Sequence, residues 1–223
     1  MRAQVLPKHQ LTARLATQTS RAQDNLQRLV MRMCREHPFH SLYQVYCLRP
    51  GHPNATTANR RQSERYSEVS TQTERGAAAS SIFDRLRADE LAENRVRDVE
   101  RLCDACLEWA KFPITKDPRF KKNRTPHFKI PDNLSIRKIT QLKVPVTTAH
   151  TPLDSTMKYQ DCVWIDHYES TFATAGGINL PKISICRGSD GQKYKQLVRK
   201  YFNALRVSMQ TTYCLTVQRG RER

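Results

Sequence analysis

The chain has no apolar run long enough to span a bilayer as a helix, and its first residues lack the apolar core of a signal peptide. A soluble, intracellular chain with no membrane partner is expected. Apolar residues are scarce overall. The hydrophobic fraction is 38% and the mean hydropathy −0.70, which suits a piece of a larger assembly whose faces expect partners outside these residues. Metal-ligand spacing is missing too. Seven cysteines are spaced irregularly, and the one close pair, Cys103-x-x-Cys106, lies in a helical pattern without a second Cys or His pair. A zinc site needs four placed ligands, so packing thiols in a reducing compartment are expected, and no metal residues. His37 and His40 flank Pro38-Phe39 without an acidic or cysteine partner at matching spacing, and read as loop and cap residues. No histidine or cysteine constellation supports a separate catalytic domain.

Acidic residues are also in short supply. Asp+Glu number 21 against 38 Lys+Arg, a net charge of +17. Such a charge attracts nucleic acid, acidic membrane surface or acidic protein. The excess is spread along the chain more than clustered, with the densest runs at Arg60-Arg61, Lys121-Lys122-Asn123-Arg124 and residues 219–223. Solvated faces and loops account for this better than a binding surface does.

What is present begins with helical spacing. Residues 1–20 read as a frayed helix. Leu26, Leu29, Val30 and Met33 recur at helical intervals, and Pro38 disfavours continuation. Ser41 is the expected cap of a second helix carrying Leu42, Val45, Tyr46 and Leu48, stopped by Pro50-Gly51. The pair forms an αα-hairpin of the kind found in helical solenoids. Residues 51–80 are rich in Asn, Thr, Ser, Gln and Arg and read as a loop or disordered linker. Residues 81–111 give the longest helical stretch. Val96, Val99, Cys103, Cys106 and Ala110 share a face that Leu102 and Trp109 widen, and Pro113 ends it. Residues 117–129 read as a basic linker. Ile136, Ile139, Leu142 and Val144 form an entry segment, residues 147–158 a loop, and Cys162 to Ile165 and Tyr168 to Phe172 strands.

The chain is organised around residues 172–199. Ala175-Gly176-Gly177-Ile178-Asn179-Leu180-Pro181-Lys182 is a glycine pair closed by a proline. Ile183-Ser184-Ile185-Cys186 alternates apolar and small residues as a half-buried strand does. Asp190-Gly191 signals a hairpin turn, and Tyr194 to Val198 is the return strand, ending on Arg199-Lys200. Glycines let backbone N–H groups approach phosphate oxygens, and a cation at a strand end neutralises them. The stretch lacks the G-x-G-x-x-G of ordinary protein kinases. A nucleotide-phosphate lid and a plain two-sided hairpin both fit these features.

The wording of the stretch is more specific than its spacing. AGGINLPKI followed by GSDGQKYKQLV resembles the start of the kinase domain in the phosphatidylinositol-3-kinase-related protein kinases, in their ATM-like branch. LQRLVMRMCREHPFHSLYQVYCL and VERLCDACLEWA are similar to helices of the family's FAT domain, and IPDNLSIRKITQLKVPV to its FAT-to-kinase junction. The similarity runs over most of residues 26–198 in the family's order. It implies an α+β chain: FAT-type α-solenoid hairpins in residues 1–128, a junction in 129–160, a partial β-rich kinase N-lobe in 161–199 and a divergent basic tail in 200–223. It implies ATP with Mg or Mn as cofactors of the full-length family, and a nuclear Ser/Thr kinase of the DNA-damage response. The implied partners are the rest of the kinase, a second copy in a homodimer, and DNA-damage sensor proteins. Ala175, Gly176, Gly177, Ile178, Asn179, Leu180, Pro181 and Lys182 would form the phosphate-covering loop. Thr71-Gln72 is the kind of dipeptide that kinases resembling ATM phosphorylate.

Two departures qualify the resemblance. Arg199 stands where the family has its phosphate-contacting lysine, and a planar guanidinium is not a neutral replacement there. Residues 201–223 carry none of the family's Asp-Asp-Leu-Arg-Gln-Asp wording, and no catalytic-loop Asp, Asn or metal-binding Asp follows. No catalytic residue is therefore assigned. Arg199-Lys200-Tyr201 can be encoded CGT-AAG-TAT, which contains a splice-donor sequence, so intron read-through is one expected origin of the tail. The chain alone is expected to be inactive. A non-catalytic basic module that binds nucleic acid or acidic protein is the alternative.

Overall fold

The computed structural model describes residues 8–16, 20–49, 62–114, 127–174 and 181–198, with side chains from residue 73 onward in the third segment. They form an α+β fold that divides into two compact units, the division falling inside one helix after Val99.

The first unit is helical. After a short α1 (Lys8–Thr12), α2 (Arg21–Glu36) starts at Ser20, whose hydroxyl accepts from the Gln23 amide at 3.2 Å. It buries Val30 and Cys34. α3 (Pro38–Leu48) follows at once. Pro38 occupies the first turn, where its missing N–H costs nothing, and His37 holds the capping position, its side chain making no capping hydrogen bond to the helix. Ser41 is therefore not the cap: it is a buried residue inside the helix, one turn later than its start, and His40 is helical as well. Phe39, Leu42, Val45 and Tyr46 face the core.

α4 (Gln62–Arg87) corrects the linker expected at residues 51–80. Residues 50–61 lie outside the described residues, but from Gln62 onward the segment is helix. Ala78, Ala79, Ile82, Phe83 and Leu86 are buried, and Tyr46 meets Phe83 edge-on at 6.2 Å. That apolar stripe anchors the helix, and the polar residues before it contain no proline to stop propagation backwards. Thr71-Gln72 thus falls in a helix. The stretch expected to run unbroken from 81 to 111 is split. Asp89 accepts from the Leu91 amide at 3.1 Å and its carbonyl receives the Glu93 amide at 2.8 Å, and this turn starts α5 (Glu93–Lys111).

The second unit takes the end of α5 and an antiparallel sheet. Its strands are β1 (Phe128–Lys129), β2 (Thr140–Pro145), β3 (Trp164–Thr174), β4 (Lys182–Gly188) and β5 (Lys193–Val198). β3, β4 and β5 follow in order. β1 and β2 pair with opposite ends of β3 on its other edge. Phe128-Lys129, expected as linker, is thus a short strand against Phe172 and Thr171. A 3₁₀ turn, Ser135–Lys138, leads into β2, and Ile136, Ile139, Leu142 and Val144 are all buried. Cys162 to Ile165 and Tyr168 to Phe172, expected as separate strands, lie largely on the single β3.

Candidate functional site

The hairpin expected from Asp190-Gly191 forms. β4 and β5 pair from Arg187↔Lys193 to Lys182↔Val198. Gly191 takes φ +75°, which favours glycine, and Asp190 accepts from the Gln192 amide at 3.0 Å. At the far end Lys182 also pairs with Thr174 of β3. Thr174 and Lys182 thus close the stem of the connection that carries the glycines. Val198, the residue before Arg199, lies beside the same stem. Ala175, Gly176, Gly177, Ile178, Asn179, Leu180 and Arg199 themselves lie outside the described residues. Pro181 is buried.

The faces of the sheet are assigned unexpectedly. Along β4 it is Lys182, Ser184 and Cys186 that are buried, while Ile183 and Ile185 are half-buried. β5 continues the pattern, with Gln196 and Val198 buried and Leu197 half-buried. The polar face packs on the end of α5. The Trp109 indole N–H donates to Ser184 Oγ at 2.9 Å, and its ring meets Phe172 edge-on at 4.8 Å. Tyr168 donates to Gln196 Oε1 at 2.8 Å and lies near the thiols of Cys106 and Cys186. Burial pushes both thiols up to about 12, an effect the tyrosine partly opposes.

Lys182 is the buried charge of this face. Its side chain donates to the carbonyls of Trp109, of Ala110 at 3.2 Å and of Phe112 at 2.8 Å, and its ammonium lies 4.4 Å from the centre of the Trp109 ring. These carbonyls lie at the negative end of α5, where a cation is stabilised, and that of Trp109 also receives the Phe112 amide at 3.3 Å. The resemblance assigned Lys182 to the phosphate-covering loop. Its backbone stands at the stem of that loop, and its ammonium is occupied by the helix. Sequence reasoning did not find Trp109, Ser184, Tyr168 and Gln196 as parts of this site. The period-two placement of Lys182, Ser184 and Cys186 was a signal that they share a face, but not which face closes.

Among the described residues no group of three or more His, Cys, Asp or Glu is placed to hold a metal, and no helix is long and apolar enough to cross a membrane.

No family model matches the chain. Over 196 residues, 86% of the chain, it is 32% identical to the serine/threonine-protein kinase TEL1 of Cryptococcus neoformans var. neoformans serotype D. Over 203 residues it is 32% identical to the serine-protein kinase ATM of Sus scrofa, again across 86% of the chain. The chain spans about 6% of the length of these curated relatives. Among solved structures, the open conformation of CtTel1 covers 86% of the chain at a TM-score of 0.69 and 22% identity, using 7% of its own length. The FAT and kinase domain of CtTel1 covers 85% at 0.68 and 21% identity, using 12%. These two share the fold. The chain therefore belongs, as a segment, to the ATM-like serine/threonine protein kinases, the Tel1/ATM family.

Proposed function

We propose that the chain is the end of a FAT-type helical scaffold, residues 1–128, joined through 129–160 to the opening strands of a kinase small lobe, 161–199, with 200–223 as a basic tail. The sheet covers a nucleotide. The observation that carries this reading is the stem Thr174↔Lys182↔Val198, which brings the ends of the 175–181 connection and of β5 to one edge. Beside it, the half-buried Ile183, Ile185 and Leu197 give a sheet face apolar enough for a flat ring. Residues 175–182 would supply backbone donors and Arg199 a cation to ATP phosphates, with Mg or Mn as the family's metal. In the whole kinase this lobe serves phosphoryl transfer to Ser or Thr in the DNA-damage response, in the nucleus, within a homodimer.

Phosphoryl transfer also needs a group that orients the attacking hydroxyl and carboxylates that hold the metal. Residues 1–223 offer none in the family's wording, so the chain alone is inactive. Purified chain incubated with labelled ATP, Mg and a Ser/Thr-Gln peptide tests this: no turnover is expected, and turnover above background refutes it. Binding of trinitrophenyl-ATP, competed by ATP and weakened by Arg199→Ala, tests the nucleotide face. Binding indifferent to ATP overturns it.

A further inference from the structure

Lys182 stands where three parts of the second unit meet. Its backbone pairs with Thr174 and with Val198, so it is the first residue of β4 after the 175–181 connection and it borders the end of β5. Its side chain reaches three carbonyls, those of Trp109, Ala110 and Phe112. The residue is 4% exposed. A strand end next to a connection ordinarily frays. A lysine held by one acceptor would still swing, since its four-carbon stem is flexible. Three acceptors within four residues, on 109, 110 and 112, with the Trp109 ring at 4.4 Å and that of Phe112 at 5.9 Å, restrain the ammonium far more than one would. Two of the acceptors belong to the last turn of α5 and the third to the residue just after it, so their placement follows the end of that helix.

We propose that Lys182 is a positioning residue for nucleotide binding: through its ammonium, the C-terminal carbonyls of α5 set where the stem of the 175–181 connection and the end of β5 stand. The consequence for nucleotide rests on the reading of this sheet as a nucleotide cover. The placement of the two strand ends does not. Lys182 acts through the strand ends and touches no phosphate.

The test compares the whole 223-residue chain with Lys182→Met and Lys182→Arg by amide hydrogen exchange. With Lys182→Met, amides of residues 172–174 and 196–198 are expected to exchange about tenfold faster or more, while the turn end, residues 187–193, stays within about twofold. Lys182→Arg, which keeps the charge and the donors, should restore most of the protection. Unchanged exchange, or equal acceleration along the whole hairpin, overturns the proposal, because the second pattern marks a general stabiliser. If Lys182→Met does not fold, the wild-type lysine ammonium decides. It should give a slowly exchanging, ring-shifted nitrogen–proton resonance that disappears in Lys182→Arg, and its absence from the wild type overturns the proposal. Trinitrophenyl-ATP titration separates the two readings. Weaker binding by Lys182→Met, recovered by Lys182→Arg, supports the functional half, and unchanged binding overturns it. A wild-type chain that binds no nucleotide, yet shows the local exchange pattern, refutes the nucleotide cover and leaves the placement of the strand ends standing.

Discussion

Burial pushes the thiols of Cys34, Cys47, Cys106 and Cys186 up to about 12. The thiolate is the reactive form, so these four should label with iodoacetamide at pH 8 at least about a hundredfold more slowly than in denaturant, as read by mass spectrometry over time. Their raised values also link stability to pH. Unfolded thiols ionise near pH 8.5, and folded ones stay protonated until much higher. Stability from this source is complete below about pH 8.5 and declines as pH rises towards 12. Urea midpoints at pH 7.5 and 10 should differ less in a Cys34→Ala, Cys106→Ala double variant than in the wild type. Asp154 behaves oppositely. Its carboxylate accepts from the Tyr159 amide at 2.6 Å and the Thr156 amide and hydroxyl at 2.8 Å, which lowers its pKa, the Tyr159 amide contributing most. These bonds hold a turn in which Met157 and Tyr159 take positive φ. The contribution is present above the usual carboxylate range, near pH 4, and is lost as pH falls through the depressed value. Amide protection of residues 156–159 should therefore drop in acid, and Asp154→Ala should remove it at neutral pH.

At the scale of the element, the β4–β5 hairpin was legible because its signals are local: alternation on both sides of Asp190-Gly191 fixes strand, turn and strand. Which face closes was not legible. Ile183 and Ile185 are the more apolar residues of β4, yet Ser184 and Cys186 are the buried ones, because Trp109 and Lys182 fill that side with paired polar groups. α4 was missed for a related reason. Gln62 to Arg75 is polar enough to read as linker, and among the described residues the buried apolar ones that hold the helix lie after Gly76. Two substitutions probe these elements. A Cβ at Gly188 would meet Asp190 Oδ1 at 2.5 Å, Val163 Cγ1 at 2.6 Å and a Tyr194 ring carbon at 2.9 Å. Gly188→Ala should cost about 1–3 kcal/mol in urea denaturation, with the turn amides exposed first. Trp109→Phe leaves Ser184 Oγ buried without its donor and should cost about 1–3 kcal/mol for that loss alone. A second change, Ser184→Ala, should then cost far less than it does in the wild type.

Across the whole molecule the charge of +17 is the dominant global property. Dispersed charge gives weak, salt-sensitive contact with nucleic acid and no sequence preference. A fluorescent 20-mer duplex should bind at about 10⁻⁴–10⁻⁶ M at physiological salt, irrespective of sequence. Affinity near 10⁻⁸ M that survives there would reveal a dedicated groove. The family was legible before any coordinates, because AGGINLPKI and GSDGQKYKQLV carry specific wording over a short span. The helical hairpin of α2 and α3 was legible too, from helical spacing broken at Pro38.

What the amino-acid order determined by itself is therefore local and familial: helix spacing, the turn at Asp190-Gly191, the glycine-bearing connection and the departure at Arg199. Those follow from backbone preferences and residue periods, which act over a few positions. Only the tertiary structure decided that Lys182 turns from the loop to the end of α5. A lysine's partner some seventy residues away is set by which helix end the sheet meets, and no short-range period encodes that distance.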